Sequence, residues 1–343
     1  MANGGQKTAV SWRRWVIVAL AGLLLVFLAL NLALGSVRVP WRELAAVLAS
    51  RGDAGAAARM LWEIRFPRAL AGAFGGASLA ASGLLLQIFF RNPIVDPFIL
   101  GISSGATLAV GAVLLAGVVV GRTAVSPYLM NLAALAGAAM VLVLVVAVAG
   151  RVRNAVTLLL VGLMIGYLCS AGSSILVAVA EKEKVHAFVL WTLGSFSGFT
   201  WDEVTIVAPC ASGLIGGVYL LCKPLNALLM GEDYARSLGV NLRAVRVVLV
   251  LLASSLAAIV TAFAGPVGFV GLAAPHLARL LLGTADNRHL IPAATLVGGV
   301  ITSGCDLVAR LILSPVELPL SAVTALFGAP LVISFLRRRR VGM

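Results

Sequence analysis

The residues with the most recognisable chemical spacing in this chain are Gly101, Ser103 and Gly105, which form the pattern G-x-S-x-G. In α/β-hydrolases this pattern places a nucleophilic serine on a sharp turn from a strand to a helix, with an acidic residue and a histidine following. Here the pattern stands near the start of a long apolar segment rather than in a soluble sheet. We therefore expect Ser103 to pack within a helix and not to act as a nucleophile.

Other motifs for catalysis or metal binding are missing from the sequence. There is no G-x-x-x-x-G-K-[ST] loop, so the chain cannot by itself bind ATP in a P-loop. The three histidines, His186, His276 and His289, lie far apart, and the four cysteines form no C-x-x-C pair. The sequence thus predicts no catalytic residue, no metal site and no cofactor on this chain.

Acidic residues are scarce inside the apolar segments, where an ion-coupled carrier is expected to hold them along its coupling path. Asp306 and Arg310 stand four residues apart near the end of one segment, a spacing that favours local pairing on a helix. Glu317 stands near the start of the next segment. This distribution argues against ion coupling and favours an energy source on another subunit.

The elements that must position these residues are membrane helices. Of the 343 residues, 61% are hydrophobic and 11% are charged, whereas soluble proteins have about 45–50% apolar and about 25% charged residues. A spanning helix needs about 20 apolar residues, and the charge-free segments are 15–37, 69–90, 97–121, 123–150, 154–180, 204–222, 247–278, 290–305 and 318–336. Because Gly265-Pro266 interrupts the segment 247–278, we expect ten helices in one all-α transmembrane domain covering residues 1–343.

The net charge of +13 indicates how the helices are oriented. Ten spans place both termini on one side, and the basic residues of segments 1–14 and 337–343 predict that this side is the cytoplasm. The basic loop 223–246 falls on the same side. A smaller group of basic residues, including Arg65 and Arg68, crowds into the first external loop and needs a separate explanation.

Several motifs in order resemble the FecCD-type permeases of type II ABC importers, which carry iron-siderophores, haem and cobalamin. The resemblance runs from about Trp62 to Leu336. Its motifs are WEIRFPR at 62–68, RNPIVDPFILGISSGA at 91–106, GPVGFVGLAAPHLAR at 265–279, DLVAR at 306–310 and ELPLSAVTALFGAP at 317–330. The resemblance implies a ten-helix permease that works as a homodimer with two ATPase subunits and an external binding protein.

The resemblance implies that the loop segment 225–239 couples the permease to the ATPase by docking into a cleft on it. A short helix suits this segment, because Glu232 and Asp233 favour the N-terminal end of a helix dipole and Gly239 can end the helix. The residues implied in coupling are Leu228, Gly231, Glu232, Asp233, Ala235, Arg236, Leu238 and Gly239. The alternative is a solvated surface helix without a partner.

The resemblance also implies that Arg65, Arg68 and Arg310 pair with acidic residues of the binding protein. Guanidinium groups suit this role, because they are permanently charged and offer two parallel donors to a carboxylate. Docking would also account for part of the external basic group. The alternative is that Arg65 and Arg68 anchor the second span at the lipid headgroups.

The resemblance implies gate and pathway residues less completely than it implies the coupling residues. The inner gate of the family's cobalamin-transporting member matches Asn92, Ile94, Ala155 and Val156. That member has hydroxyl residues at the second pair, so an apolar constriction replaces a polar one here. The implied pathway wall on the fifth span consists of Gly162, Gly166, Tyr167, Ser170 and Ser174, for which core packing is the alternative.

We therefore expect a multi-pass permease subunit in a prokaryotic cytoplasmic (inner) membrane, carrying a ferric siderophore or haem first and cobalamin second. The expected partners are a second copy of the chain, two ATP-binding subunits that hold ATP and magnesium, a periplasmic or lipid-anchored substrate-binding protein, and membrane lipid, but no nucleic acid. An ion-coupled secondary transporter and a membrane-embedded enzyme are the alternatives.

Overall fold

The computed structural model describes residues 2–35, 58–115, 126–151, 155–314 and 316–339, and every regular element in these ranges is a helix. The α-helices are α1 (Ala2–Ala33), α2 (Phe66–Phe89), α3 (Ile102–Leu114), α4 (Pro127–Ala149), α5 (Ala155–Val179), α6 (Lys182–Thr192), α7 (Trp201–Leu220), α8 (Cys222–Met230), α9 (Glu232–Ser237), α10 (Leu242–Ala264), α11 (Val270–Leu282), α12 (Asn287–Leu311) and α13 (Leu320–Arg339). A π-helical turn, Met60–Arg65, leads into α2, and a 3-10 turn, Pro97–Leu100, precedes α3.

Each charge-free segment of the sequence coincides with one helix once the segment 247–278 is divided. Among the described residues, the helices long and apolar enough to cross a membrane are seven: Trp12–Ala33, Met60–Phe89, Pro127–Ala149, Val156–Val179, Trp201–Leu220, Leu242–Ala264 and Asn287–Leu311. The other three segments hold the shorter apolar helices Ile102–Leu114, Val270–Leu282 and Leu320–Pro330. The all-α membrane fold is thus confirmed, while the cytoplasmic position of both termini stays a prediction.

The predicted helix break at Gly265 has two physical causes. Gly265 has a φ of +71°, and a Cβ at this position would come within 2.5 Å of the Trp191 carbonyl oxygen. The Ser195 N–H donates to the Ala264 carbonyl at 2.8 Å and so satisfies one of the acceptors that a helix end leaves open. The helix α10 therefore ends at Ala264, where only glycine fits next.

The Cα positions group the chain into two compact units, each assembled from separate stretches. The first unit contains Met1–Ala81, Phe196–Gly213 and Phe269–Met343, and the second contains Ser82–Ser195 and Leu214–Gly268. In the first unit, α12 packs against α1, α11 and α13. In the second unit, α4 packs against α3 and α10, and α5 packs against α3. The single domain expected over residues 1–343 stays a prediction.

Glycines let helices approach closely in both units. In the first unit, a Cβ at Gly76 of α2 would come within 2.7 Å of the Gly298 carbonyl carbon in α12. In the second unit, a Cβ at Gly105 of α3 would come within 2.7 Å of the Gly137 carbonyl oxygen in α4. Small residues at helix crossings are typical of membrane proteins, where close packing stabilises helix association.

Candidate functional site

The predicted coupling segment consists of two short helices, α8 and α9, that meet at Gly231. The backbone of Gly231 has φ +127° and ψ 153°, a conformation that L side chains rarely adopt. Glu232 and Asp233 form the first turn of α9, as predicted, where negative charge suits the positive end of the helix dipole. Gly231 thus separates the two helices and sets the direction of the second.

The helix α9 ends in a Schellman motif at Gly239. The Val240 N–H donates to the Ala235 carbonyl at 3.1 Å, and the Gly239 N–H donates to the Arg236 carbonyl at 3.0 Å. Gly239 has a φ of +79°, which is the left-handed conformation this motif requires. The predicted left-handed stop is therefore confirmed, and α9 is a helix of 6 residues with defined ends.

Four large apolar side chains on α8, α9 and the turn after α9 are exposed, and we call them the coupling surface: Leu229, Met230, Tyr234 and Leu238. Met230, 72% exposed, is the most open of them. Ala235 lies fully buried and packs α9 within the second unit, and its role in coupling stays a prediction. Leu229, Met230 and Tyr234 belong to the predicted coupling segment 225–239 but are not among the residues singled out for coupling, although large apolar residues in a charged loop are a usable signal.

Beside α9 lies a cleft of about 650 Å³ with a strongly basic lining, which we call the basic cleft. Its lining consists of Ala149, Gly150, Arg151, Glu232, Arg236, Leu242, Arg243 and Arg246. The Arg246 guanidinium lies 3.7 Å from a Glu232 carboxylate oxygen and 5.8 Å from the ring centre of Phe89. Arg246 thus links α9 to the end of α2 through an ion pair and a cation–π contact.

The predicted inner gate begins at the turn after α2, which has an unusual backbone. The Asn92 N–H donates to the Gln87 carbonyl and the Arg91 N–H to the Ile88 carbonyl, so Arg91 occupies the left-handed position of a Schellman motif with a φ of 49°. The Asn92 side chain then accepts a hydrogen bond from the Ile94 N–H at 3.0 Å.

Asn92, Ile94 and Val156 are exposed, and Ala155 begins α5. Exposure is what a gate or an interface residue needs, but it does not distinguish these roles. The assignment of these four residues to the gate stays a prediction.

The predicted pathway residues of α5 divide into two groups. Gly162 and Gly166 pack against the turn before α3. A Cβ at Gly162 would come within 2.8 Å of the Leu100 Cα, and a Cβ at Gly101 would come within 3.0 Å of the Gly166 amide nitrogen. Both glycines therefore allow a close approach of α5 to the turn before α3, and their assignment to the pathway stays a prediction.

Tyr167, Ser170 and Ser174 form the second group of α5 residues, and all three are exposed. The Ser174 hydroxyl donates to the Ser170 carbonyl at 3.0 Å. Its donor is therefore used inside the helix, and the exposed face of α5 is weakly polar and uncharged.

The three arginines predicted to dock a binding protein are buried within the first unit, and the pair Asp306 and Arg310 forms as the spacing predicted. Arg68 contacts both Asp306, at 2.8 Å, and Glu317, at 2.7 Å. Arg310 Nε lies 3.3 Å from Asp306, and its Nη2 donates to the Asn31 amide oxygen. Arg68, Arg310, Asp306 and Glu317 therefore form a charge-balanced cluster joining α2, α12 and the start of α13.

Arg65 has a different environment, because it caps α1. Its Nη1 donates to the Leu32 carbonyl at 2.7 Å and to the Ala33 carbonyl at 3.3 Å. A positive charge there offsets the negative end of the α1 dipole. All three arginines thus have partners within the chain, and their role in docking a binding protein stays a prediction.

Ser103 lies buried inside the first turn of α3, and no strand precedes it among the described residues. This geometry lacks the strand-to-helix elbow that a hydrolase serine requires. Within the same described ranges, no group of three His, Cys, Asp or Glu side chains could hold a metal ion.

In the described part of the chain, an all-helical fold with seven long apolar helices and close glycine crossings defines an integral membrane protein. Residues 23–338 match the FecCD transport family, and the chain belongs to this family. It is therefore a membrane transport subunit and not an enzyme, and it is a multi-pass protein of the prokaryotic cytoplasmic membrane.

Named relatives cover nearly the whole chain. The vitamin B12 import system permease protein BtuC of Klebsiella pneumoniae subsp. pneumoniae is 36% identical over 328 residues, which is 96% of this chain and 95% of that protein. The protein of the same name from Shigella boydii serotype 18 is 34% identical over 342 residues, 99% of both chains.

Solved structures agree with this assignment. The chain is similar to an inward-facing metal-chelate type ABC transporter with a TM-score of 0.81 and 29% identity, covering 95% of this chain and 99% of that one. PsaBC from Streptococcus pneumoniae in complex with Fab is 13% identical with a TM-score of 0.52, covering 85% of this chain and 95% of that one, and this likeness shows the fold alone.

Proposed function

We propose that this permease subunit imports cobalamin. The observation that carries the proposal is the 34–36% identity to proteins named as vitamin B12 import permeases over at least 95% of both chains. The metal-chelate type transporter of similar structure supports the wider class, a metal held in an organic ligand. This reverses the order expected from sequence, which placed ferric siderophores and haem first.

The energy for import comes from ATP-binding subunits that dock on the coupling surface. This chain has no P-loop of its own. The exposed apolar residues Met230 and Tyr234 lie beside the charged residues Asp233 and Arg236. An apolar centre with a polar rim is typical of protein interfaces.

The exposed face of α5 forms the wall along which the cargo moves, at an interface with a second copy of the chain. Val156, Met164, Tyr167 and Ser174 follow each other at intervals of eight, three and seven residues, which place them on one helix face, and all are exposed and uncharged. A wall with these properties lets a bulky ligand slide, because it offers no charge that would hold the ligand.

Binding-protein docking by Arg68 requires an exchange of partners in this proposal. Glu317, half exposed, covers one side of the guanidinium. A carboxylate of the binding protein therefore competes with Glu317 for the same donors. Arg65 and Arg310 donate to carbonyl and amide oxygens within the chain. In this proposal they stabilise the site and do not contact the binding protein themselves.

The experiment that tests the function is uptake by proteoliposomes containing this chain, its ATP-binding subunit and its binding protein. We expect ATP-dependent uptake of cobalamin, abolished by substituting the P-loop lysine of the ATP-binding subunit and insensitive to a proton uncoupler. Uptake of a ferric siderophore or haem in preference to cobalamin would overturn the cargo. Uptake that survives the lysine substitution and follows a proton gradient would overturn the ABC mechanism.

A further inference from the structure

We propose that the basic cleft binds the phosphate of an anionic phospholipid headgroup, whose acyl chain lies along the exposed apolar face of α4. The proposal concerns the membrane around the permease and is independent of its cargo.

The charge of the basic cleft is unbalanced. Four arginines, Arg151, Arg236, Arg243 and Arg246, line it against a single carboxylate, Glu232. Arg246 is already paired with Glu232, and Asp233 contacts Arg236 loosely at 3.8 Å. Arg151 and Arg243 are exposed and have no ion pair among the described residues. The end of α4 adds a partial negative charge of about one half, which is too small to balance the cleft.

The position of the cleft is the depth at which phospholipid phosphates lie. Arg151 follows the last residue of α4 by two positions, and Arg243 and Arg246 lie in the first two turns of α10. Both α4 and α10 are long enough to span a membrane. Arginines at the ends of two adjacent spans therefore lie where the hydrocarbon meets the headgroups, and the guanidinium fork matches a phosphate with two parallel hydrogen bonds.

The apolar face of α4 distinguishes a lipid from a free phosphate. Met140, Val143 and Leu144 are exposed on one side of the helix, and the same side continues to Arg151. Val248 of α10 is also exposed. An acyl chain lying on these side chains buries apolar surface while its phosphate reaches the cleft. The predicted orientation places the cleft in the cytoplasmic leaflet, where basic sites between helices bind anionic headgroups.

Native mass spectrometry of the full-length chain in detergent tests the site by comparing bound phosphatidylglycerol with bound phosphatidylcholine. We expect phosphatidylglycerol to bind more tightly to the unaltered chain. R151Q together with R243Q should lower its affinity about thirtyfold, which equals about 2 kcal/mol for two interfacial arginines. Affinity for phosphatidylcholine should not change.

Two further variants keep the test specific. R13Q together with R14Q removes the same charge from α1, and we expect less than a threefold loss. E232Q removes the acid of the cleft, and we expect about a fivefold gain in phosphatidylglycerol affinity, a result that misfolding cannot produce.

Four results would each overturn the site. The first is an equal loss of phosphatidylglycerol affinity in the two double variants, and the second is equal affinity of the unaltered chain for the two lipids. The third is displacement of the lipid by glycerol phosphate at equal concentration. The fourth is a variant R151Q/R243Q that keeps its lipid but no longer binds the ATP-binding subunit. The third result would exclude the acyl chain, and the fourth would assign the cleft to a protein partner.

Discussion

Arg68 forms an ion pair with Asp306 in the first unit through two of its guanidinium nitrogens. Its Nη2 lies 2.8 Å from Oδ1, and its Nε lies 3.1 Å from both carboxylate oxygens. Both side chains are nearly completely buried. A buried ion pair of this kind contributes little net stability relative to an apolar pair, but removing one partner leaves a charge without compensation. Arg68 and Asp306 therefore depend on each other.

We expect Arg68→Ala to lower the free energy of unfolding by about 3–5 kcal/mol, because the buried cluster then holds two carboxylates, Asp306 and Glu317, against Arg310 alone. Glu317→Gln should lower the free energy of unfolding by no more than about 1 kcal/mol, since Glu317 is half exposed and water can take the place of its carboxylate beside Arg68. Denaturant unfolding of the detergent-solubilised chain measures both. Equal losses in the two variants would contradict the burial argument.

Glu317→Gln should also increase the affinity of the binding protein about threefold at low salt. The substitution removes the carboxylate that competes for Arg68, and a partially exposed pair is worth up to about 1 kcal/mol. Surface binding of the permease to immobilised binding protein measures the change, and the gain should shrink at high salt because exposed charges are screened. An unchanged affinity would mean that Arg68 serves the fold alone.

The coupling surface predicts a defect in ATPase binding. Met230→Ser together with Tyr234→Ser should weaken binding of the ATP-binding subunit by about thirtyfold or more, because exposed apolar and aromatic anchors carry most of an interface's energy. Leu281→Ser, at an apolar residue near the end of α11 that is about as exposed as Tyr234, is the control and should have little effect. Pull-down of the two proteins at several concentrations gives the affinities, and similar values for all variants would reject the surface.

Replacing Glu232, Asp233 and Arg236 together tests whether the same loop couples ATP hydrolysis to transport in addition to binding the ATP-binding subunit. We expect transport-coupled ATP hydrolysis to be lost while the permease stays folded, because these charges border the coupling surface and position α9. ATP hydrolysis with and without cargo-loaded binding protein measures the coupling. Unchanged stimulation by the loaded protein would reject the role.

The glycine crossing in the first unit gives a stability prediction. Gly76→Ala should destabilise the fold by about 1–3 kcal/mol, because the new methyl group would overlap the backbone of Gly298. Gly213→Ala is the matched control, since it is also a helical glycine but has open space around its Cβ position. There we expect no loss or a gain of up to about 1 kcal/mol. Thermal unfolding separates the two, and a common effect would contradict the crossing.

The helices could be predicted from sequence because a membrane span is encoded locally. Absence of charge over about 20 residues identifies the span, and Gly265 identifies the break. The stop at Gly239 could be predicted for the same reason, since a left-handed helix end is a property of one residue. The short helix α6 was not predicted, because Lys182, Glu183 and Lys184 place charges where the span criterion finds nothing.

The environments of the arginines could not be predicted, because their partners come from distant stretches of the chain. Arg65 meets the end of α1, and Arg68 meets Asp306, which lies 238 residues away. Sequence spacing gave the pair Asp306 and Arg310 only because both lie on one helix. Likewise, the contact of Gly162 with the turn before α3 could not be predicted, because sequence spacing does not show which distant turn a helix packs against.

Arg246 has a mechanical consequence for the second unit. Its guanidinium is held by Glu232 on one side and by the ring of Phe89 on the other, with most of its side chain covered. A rigid group fixed at both ends cannot let one neighbour move without following it or losing a contact. Arg246 therefore connects the two elements: a displacement of α9 relative to the last turn of α2, two residues before Arg91, has to carry this side chain along or break one of its two contacts.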